Sequence, residues 1–231
     1  MSGDVIWHSG DAWAEAGIRG AVVVAHGGKS VSTEPTSPRE LAVLRMVPLA
    51  NAIRRATRGY GVAVCQPRFK VQGWNGELAS PVADLGNLLD EIGTRFGDIP
   101  IVVIGHSMGA RASFRVAGHP AVTAVAGLAP WLPPGEPVDQ LAGRRVLLAH
   151  GTGDRVTRPA ETWAYAKRAR AVTDVAAIEV RGGEHTMLWR APLWHRLAVD
   201  FSRLSLGLPT AEAEVAKAFQ QATAGQLRSL V

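Results

Sequence analysis

The chain has 231 residues, 47% of them apolar and 19% charged, which is long enough for a buried core and argues against intrinsic disorder. Its formal charge of +5 comes from basic residues scattered along the chain, without zinc-finger spacing, a basic tail or a stacking motif, so we expect no nucleic-acid partner. The single cysteine, Cys65, excludes an intrachain disulfide and fits a reducing compartment.

The N-terminal sequence does not begin with the basic and apolar segments that are typical of a signal peptide. The chain also lacks an uninterrupted apolar stretch of about 18 residues, the length that a membrane-spanning helix needs. We therefore expect a cytoplasmic protein with no membrane span. We expect it to be a monomer or a homodimer.

Six short apolar runs predict buried strands. They are rich in valine, isoleucine and alanine, and most lack alternating polar residues, a pattern typical of parallel strands that are covered on both faces. In chain order these runs are Ala21–Ala25, Gly61–Cys65, Ile101–Ile104, Val122–Ala126, Val146–Ala149 and Ala176–Val180.

Segments with helical spacing follow the strands. They are Val47–Arg58, Pro81–Arg95, Ala110–Val116, Ala160–Ala171, Leu188–Leu206 and Thr210–Gln221. This alternation predicts an α/β fold, a doubly wound and mostly parallel sheet with helices on both faces. We expect a single domain over residues 1–231, in which residues from about 207 to 231 form a C-terminal helical extension that Thr210 caps.

A G-x-S-x-G sequence joins the strand Ile101–Ile104 to the helix that follows it, and Ser107 is its serine. A tight turn between strand and helix needs small neighbours, which Gly105 and Gly109 supply. Such a turn lifts the hydroxyl above the sheet, beside the amides of the helix N-terminus. The pattern predicts that Ser107 is a nucleophile.

A serine nucleophile needs a base and an acid that orients the base, and both follow Ser107 along the chain. Asp154 lies in the loop after Val146–Ala149, and His185 lies in the loop after Ala176–Val180. Because the carboxyl ends of parallel strands meet at one edge of a sheet, we expect the three side chains to meet there.

The sequences GHSMG, HGTGDRVT and GGEHTM, each placed after its own strand, resemble the α/β-hydrolase family. The resemblance extends from about Gly20 to Leu206. It implies the α/β-hydrolase fold, with Ser107 as nucleophile, Asp154 as acid and His185 as base. The histidines and acids do not fall at zinc-ligand spacings, so we expect no metal and no cofactor.

The oxyanion of the reaction needs two hydrogen-bond donors. We expect the first to be the backbone amide of Met108, directly after the nucleophile. The second is expected in the loop after Ala21–Ala25, which reads HGGK. The resemblance places this donor at the amide of Gly28, with Lys29 as the alternative.

The site is expected to have no large lid, because only about twenty residues separate Ala126 from Val146. The antiparallel strands that usually begin this fold are expected to be reduced or missing. Trp74, Trp131 and Met187 lie in loops beside the predicted site and are expected to form an apolar wall of the substrate pocket.

These features predict a serine hydrolase that cleaves carboxylic esters through an acyl-enzyme intermediate, with a small-molecule acyl compound as its substrate. A thioesterase and an acyltransferase use the same groups and stay open as alternatives. A non-catalytic binding protein on the same fold is the alternative outside enzymes.

Overall fold

An eight-stranded sheet forms the centre of the protein in a computed structural model, which describes residues 4–8, 17–210, 214–226 and 228–231. The strands are β1 (Val5–Trp7), β2 (Gly20–Ala25), β3 (Val62–Pro67), β4 (Ile101–His106), β5 (Val122–Leu128), β6 (Arg145–Gly151), β7 (Val175–Val180) and β8 (Arg228–Leu230). Their order across the sheet is β1-β3-β2-β4-β5-β6-β7-β8. β1 pairs antiparallel with β3, whereas the other neighbouring pairs are parallel, which confirms the predicted mostly parallel sheet.

Helices cover both faces of the sheet. They are α1 (Leu41–Leu44), α2 (Met46–Ala56), α3 (Ser80–Phe96), α4 (Met108–Arg115), α5 (Pro159–Ala169), α6 (Ala191–Ser205) and α7 (Glu214–Thr223). α3, α5 and α6 each carry a proline in the first turn, where its missing amide hydrogen costs no helical hydrogen bond. Among the helices in the described ranges, none is long and apolar enough to cross a membrane.

The two faces of the sheet explain why the strands read as continuous apolar runs. On β2, Val22 and Val24 pack with α2, α6 and α7, whereas Val23 packs on the opposite face with α3 and α4. α5 covers the same face as α4, over the β5, β6 and β7 part of the sheet. Because both faces are covered, the side chains of β2 and β4 are buried throughout.

The sequence patterns did not reveal β1, β8 or α1. Each has three or four residues, and a segment this short carries no readable period. Within the described ranges, β1 is the one antiparallel strand ahead of β2. The segment expected to be a C-terminal helical extension contains α7, but it also contributes β8, which pairs with β7. Residues 211–213, which lie between Thr210 and α7, are outside the described ranges, so the cap at Thr210 stays a prediction.

Candidate active site

Ser107 lies in a strained turn between β4 and α4. Its backbone has φ 54° and ψ −118°, in the left-handed region that side chains other than glycine rarely adopt. A Cβ atom on Gly105 would lie 2.4 Å from the amide nitrogen of Ala110, and one on Gly109 would lie 2.3 Å from the carbonyl oxygen of His26. The turn therefore needs both glycines of the sequence motif.

A chain of hydrogen bonds joins Ser107 to the two residues that the sequence singled out. The Nε2 atom of His185 lies 3.0 Å from the Oγ atom of Ser107, and the Nδ1 atom of His185 lies 2.8 Å from the Oδ2 atom of Asp154. An ionised carboxylate only accepts hydrogen bonds, so Nδ1 donates to Asp154. Nε2 is then free to accept the hydroxyl proton of Ser107. The fold thus brings together the three side chains predicted to meet.

Several donors converge on the carboxylate of Asp154. Oδ1 accepts from the amides of Val156 and Thr157 at 2.8 and 2.9 Å, and Oδ2 accepts from the Thr157 hydroxyl at 2.9 Å. Burial by itself raises the pKa of Asp154, but the hydrogen bonds from His150, His185 and these amides outweigh it and hold the pKa well below its usual value. Asp154 is therefore an anion throughout the neutral range.

A second histidine, His150, contacts the same carboxylate, and the sequence analysis gives it no role in the site. His150 is fully buried at the end of β6, with its Nε2 atom 3.0 Å from Oδ2 of Asp154 and its Nδ1 atom 2.7 Å from the Thr162 hydroxyl. Nε2 donates to the carboxylate, so Nδ1 accepts from Thr162. Asp154 is thereby held by two imidazoles. The signal in the sequence was the histidine four residues before the acid.

His106, the variable residue of the serine turn, packs against the candidate base. Its ring centre lies 4.9 Å from that of His185, and its Nε2 atom donates to the backbone carbonyl of His185 at 2.8 Å. Burial, followed by the charge of His185, lowers the pKa of His106 to about 3. His106 is therefore a neutral support for the backbone of His185.

The HGGK loop after β2 lies directly beside the nucleophile. A Cβ atom on Gly27 would lie 3.3 Å from Cβ of Ser107, and one on Gly28 would lie 2.3 Å from Cε of Met108. The Nε2 atom of His26 accepts a hydrogen bond of 3.1 Å from the amide of Phe69 and fixes the base of the loop. Glycines at both positions are what allow this close approach.

The two amides considered for the oxyanion differ in their bonding. Lys29 donates its amide to the carbonyl oxygen of Gln72 at 2.8 Å. In the part of the chain that the structure describes, the amide of Gly28 has no hydrogen-bond partner. Met108 is the first residue of α4, so its amide has no acceptor within its own helix.

The three residues expected to form one apolar wall lie in two separate places. Trp74 and Trp131 pack edge to face with ring centres 6.2 Å apart and line an open cleft of about 690 Å³. The amide of Trp131 donates to the carbonyl oxygen of Ser107 at 3.2 Å, and the guanidinium of Arg111 lies over both indole rings. Met187 is separate from these rings: it is buried in the core of the α2 and α6 face and lines another cavity.

The loops of Asp154 and His185 touch through two glycines. A Cβ atom on Gly151 would lie 2.1 Å from the carbonyl oxygen of Gly183. We expect Gly151→Ala to push the loops apart, to lower the free energy of unfolding by about 1–3 kcal/mol or more, and to lower any activity that needs both loops. Urea unfolding of the variant and wild type measures the first effect.

Gly93→Ala is the matched control, because a Cβ atom at this position of α3 meets no atom within 4 Å. This substitution is expected to raise the free energy of unfolding by up to about 1 kcal/mol, since alanine favours a helix more than glycine does. An unchanged unfolding midpoint for Gly151→Ala would show that the two loops are not closely packed.

Comparison with known proteins finds similarity in structure only. No protein-family model and no curated protein matches the sequence. An α/β serine hydrolase homologue from Coxiella burnetii is 18% identical, with a TM-score of 0.60 over 86% of this chain and 97% of that one. The monoacylglycerol lipase of Paleococcus ferrophilus is 15% identical, with a TM-score of 0.61 over 90% and 99% of the two chains.

A third similar structure is an α/β serine hydrolase without lid from Xanthomonas campestris, 16% identical, with a TM-score of 0.59 over 90% of this chain and 89% of that one. Identities this low carry an argument about architecture rather than about activity. The parallel sheet, the helices on both its faces and these three neighbours agree: the chain has the α/β-hydrolase fold.

Proposed function

We propose that this protein is a serine hydrolase that cleaves carboxylic esters through an acyl-enzyme intermediate. The observation that carries the proposal is the hydrogen-bonded chain from Ser107 through His185 to the buried anion of Asp154. The strained turn at Ser107 supports the same role, because it presents the hydroxyl beside the N-terminus of α4. Hydrolases among the structural neighbours, including a lipase, agree with this class of reaction.

In the proposed reaction, Oγ of Ser107 attacks the carbonyl carbon of the ester while Nε2 of His185 takes the hydroxyl proton. The resulting oxyanion accepts hydrogen bonds from the amides of Met108 and Gly28, because the amide of Lys29 is already bonded to Gln72. His185 then gives its proton to the leaving alcohol, and the acyl group stays on Ser107. Water attacks that ester with His185 as base, and the carboxylic acid leaves.

The short connection between β5 and β6 favours water as the acyl acceptor. Residues 129–144 form a loop with one turn of 3₁₀ helix, Asp139–Leu141, and no inserted domain covers the site there. An enzyme that transfers acyl groups to another acceptor must keep water out, which an open cleft does not do. The amide of Trp131 bonds to the carbonyl oxygen of Ser107, so the packed rings of Trp131 and Trp74 offer an apolar surface beside the nucleophile, which favours an apolar group on the substrate.

Hydrolysis of nitrophenyl esters from acetate to decanoate tests the proposal. We expect a burst of nitrophenol that matches the enzyme concentration, followed by steady turnover, and stoichiometric labelling of Ser107 by an organophosphorus probe. Acyl thioesters tested beside the esters distinguish a thioesterase, and added alcohols that raise the rate of nitrophenol release distinguish an acyltransferase. Absence of both turnover and labelling would indicate a non-catalytic binding protein.

A further inference from the structure

A separate cavity of about 370 Å³ lies on the α2 and α6 face of the sheet. Apolar side chains from α1, α2, α6 and the loop after His185 form most of its lining, among them Leu44, Leu49, Met187 and Trp194. Neither Ser107 nor His185 belongs to the lining. The hydrogen-bonded chain of Ser107, His185 and Asp154 therefore includes no residue of this cavity's lining.

One cation, Arg45, lies in this apolar lining, at the junction of α1 and α2. Its Nε atom is buried without a hydrogen-bond partner, and its guanidinium has no ion pair within the described ranges. Glu184 is the acid whose charge acts on Arg45, but its carboxylate accepts from the amides of Thr186 and Trp189. A half-buried guanidinium without a partner costs free energy that an anion in the cavity would recover.

The other titratable group of the lining is His195, and burial lowers its pKa, followed by the charge of Arg55. His195 is therefore neutral at pH 7, and Arg45 sets the charge of the cavity. Burial also lowers the pKa of Arg45, but a guanidinium stays protonated in proteins. An anionic ligand is consequently the one that the cavity's charge favours.

The rim of the cavity exposes large apolar side chains. Leu41, Leu44 and Leu188 are 76, 47 and 67% exposed, although all three line the cavity. Apolar side chains grouped around a cavity mark a surface that binds an apolar partner. A flexible hydrocarbon chain fits this requirement, because it fills the cavity and also covers its rim.

We propose that this cavity is a binding site for an apolar carboxylate, a fatty acid of medium chain length. The planar guanidinium of Arg45 matches the two oxygens of a carboxylate, and the chain lies against Leu44, Leu49 and Met187. Met187 and Leu188 follow His185 by two and three residues, so a bound chain contacts the loop that carries His185. Binding itself requires no turnover and does not depend on the proposed esterase activity.

Calorimetric titration with monomeric dodecanoate tests the proposal. We expect saturable binding to the wild type, at least tenfold weaker binding to Arg45→Met, and partial recovery in Arg45→Lys. Arg39→Met is the matched control: it removes the same charge from an exposed residue just before α1, and dodecanoate should bind it as it binds the wild type. Dodecanol and dodecyltrimethylammonium should bind at least tenfold more weakly than dodecanoate.

The position of the ligand is tested with a diazirine-bearing dodecanoate on the full chain carrying Ser107→Ala, which separates this cavity from the acyl-enzyme site. Mass spectrometry should find crosslinks in residues 41–49 and 187–195. Crosslinks confined to residues 107–133, undiminished affinity of Arg45→Met, or equal affinity for the ammonium analogue would each overturn the proposal. Because these measurements record binding, their failure is separate from a failure to hydrolyse esters.

Discussion

Ser107→Ala is expected to lower kcat for ester hydrolysis by a factor on the order of 10⁶, because the nucleophile is lost and the remaining groups act on water alone. The Oγ atom that alanine lacks lies 3.0 Å from Nε2 of His185. No other serine in the described ranges makes a hydrogen bond to this nitrogen. Steady-state hydrolysis of a nitrophenyl ester measures the loss, and intact-protein mass spectrometry shows that the organophosphorus probe no longer binds.

Ser113→Ala controls for the removal of a buried hydroxyl. Ser113 lies in α4, six residues after Ser107, and its hydroxyl donates to the carbonyl oxygen of Gly109 at 2.7 Å. This variant loses a local hydrogen bond without touching His185, so kcat should stay within about threefold of the wild type and unfolding should cost about 1 kcal/mol less. Activity that survives Ser107→Ala but falls with Ser113→Ala would contradict the assignment of the nucleophile.

The three residues of the candidate site were predictable because each follows its own apolar strand. Ser107, Asp154 and His185 come after β4, β6 and β7, and parallel strands bring such positions to one edge of the sheet. The glycines on either side of Ser107 also indicated the nucleophile, because the turn has no room for a Cβ atom at Gly105 or Gly109, which would collide with backbone atoms. The nucleophile could be predicted because residues next to it in the sequence determine the turn that holds it.

Contacts between distant segments were beyond the sequence. The sequence places His150 four residues before Asp154, but the tautomer with which His150 donates to Asp154 depends on Thr162, which α5 places beside the Nδ1 atom of His150. The sequence places Met187 in a loop beside the predicted site, like the two tryptophans, but its side chain turns into the core of the α2 and α6 face. In the sequence Arg45 is one of the basic residues scattered along the chain, and only the fold shows that its Nε atom is buried without a hydrogen-bond partner. In each case the role of the side chain depends on its direction and on the residues that surround it in the fold, and the sequence pattern gives neither.

Asp154→Asn is expected to lower kcat by a factor on the order of 10⁴ while keeping the shape of the side chain. A carboxylate accepts from both His150 and His185, whereas an amide offers one acceptor and one donor group. Both imidazoles contact Oδ2, whereas Oδ1 accepts from the backbone amides of Val156 and Thr157, which can only donate. With the asparagine oxygen facing these backbone amides, its nitrogen faces both imidazoles, and each imidazole must change its tautomer or lose its bond. If His185 changes its tautomer, its ring proton moves from Nδ1 to Nε2, and Nε2 can no longer accept the hydroxyl proton of Ser107.

The same substitution is expected to change how stability depends on pH. The pKa of Asp154 is lower in the folded protein than in the unfolded chain, so the ionised form stabilises the fold at pH values above the unfolded pKa of about 3.9. This contribution is lost as the pH falls below that value toward the folded pKa. Asp154→Asn lacks it at every pH, so the variant should be less stable than the wild type at pH 7, and the difference should shrink below about pH 4.

Urea unfolding at pH 7, 5, 4 and 3 measures the difference in free energy, and ester hydrolysis at pH 7 measures kcat. Asp98→Asn is the control, since Asp98 is exposed in the loop between α3 and β4 and should leave both quantities at their wild-type values. A kcat for Asp154→Asn within tenfold of the wild type would remove Asp154 from the proposed mechanism. A stability difference that stays constant from pH 7 to pH 3 would show that hydrogen bonds to its anion do not stabilise the fold. Together the two results separate the part of Asp154 in orienting His185 from its part in holding the loop after β6.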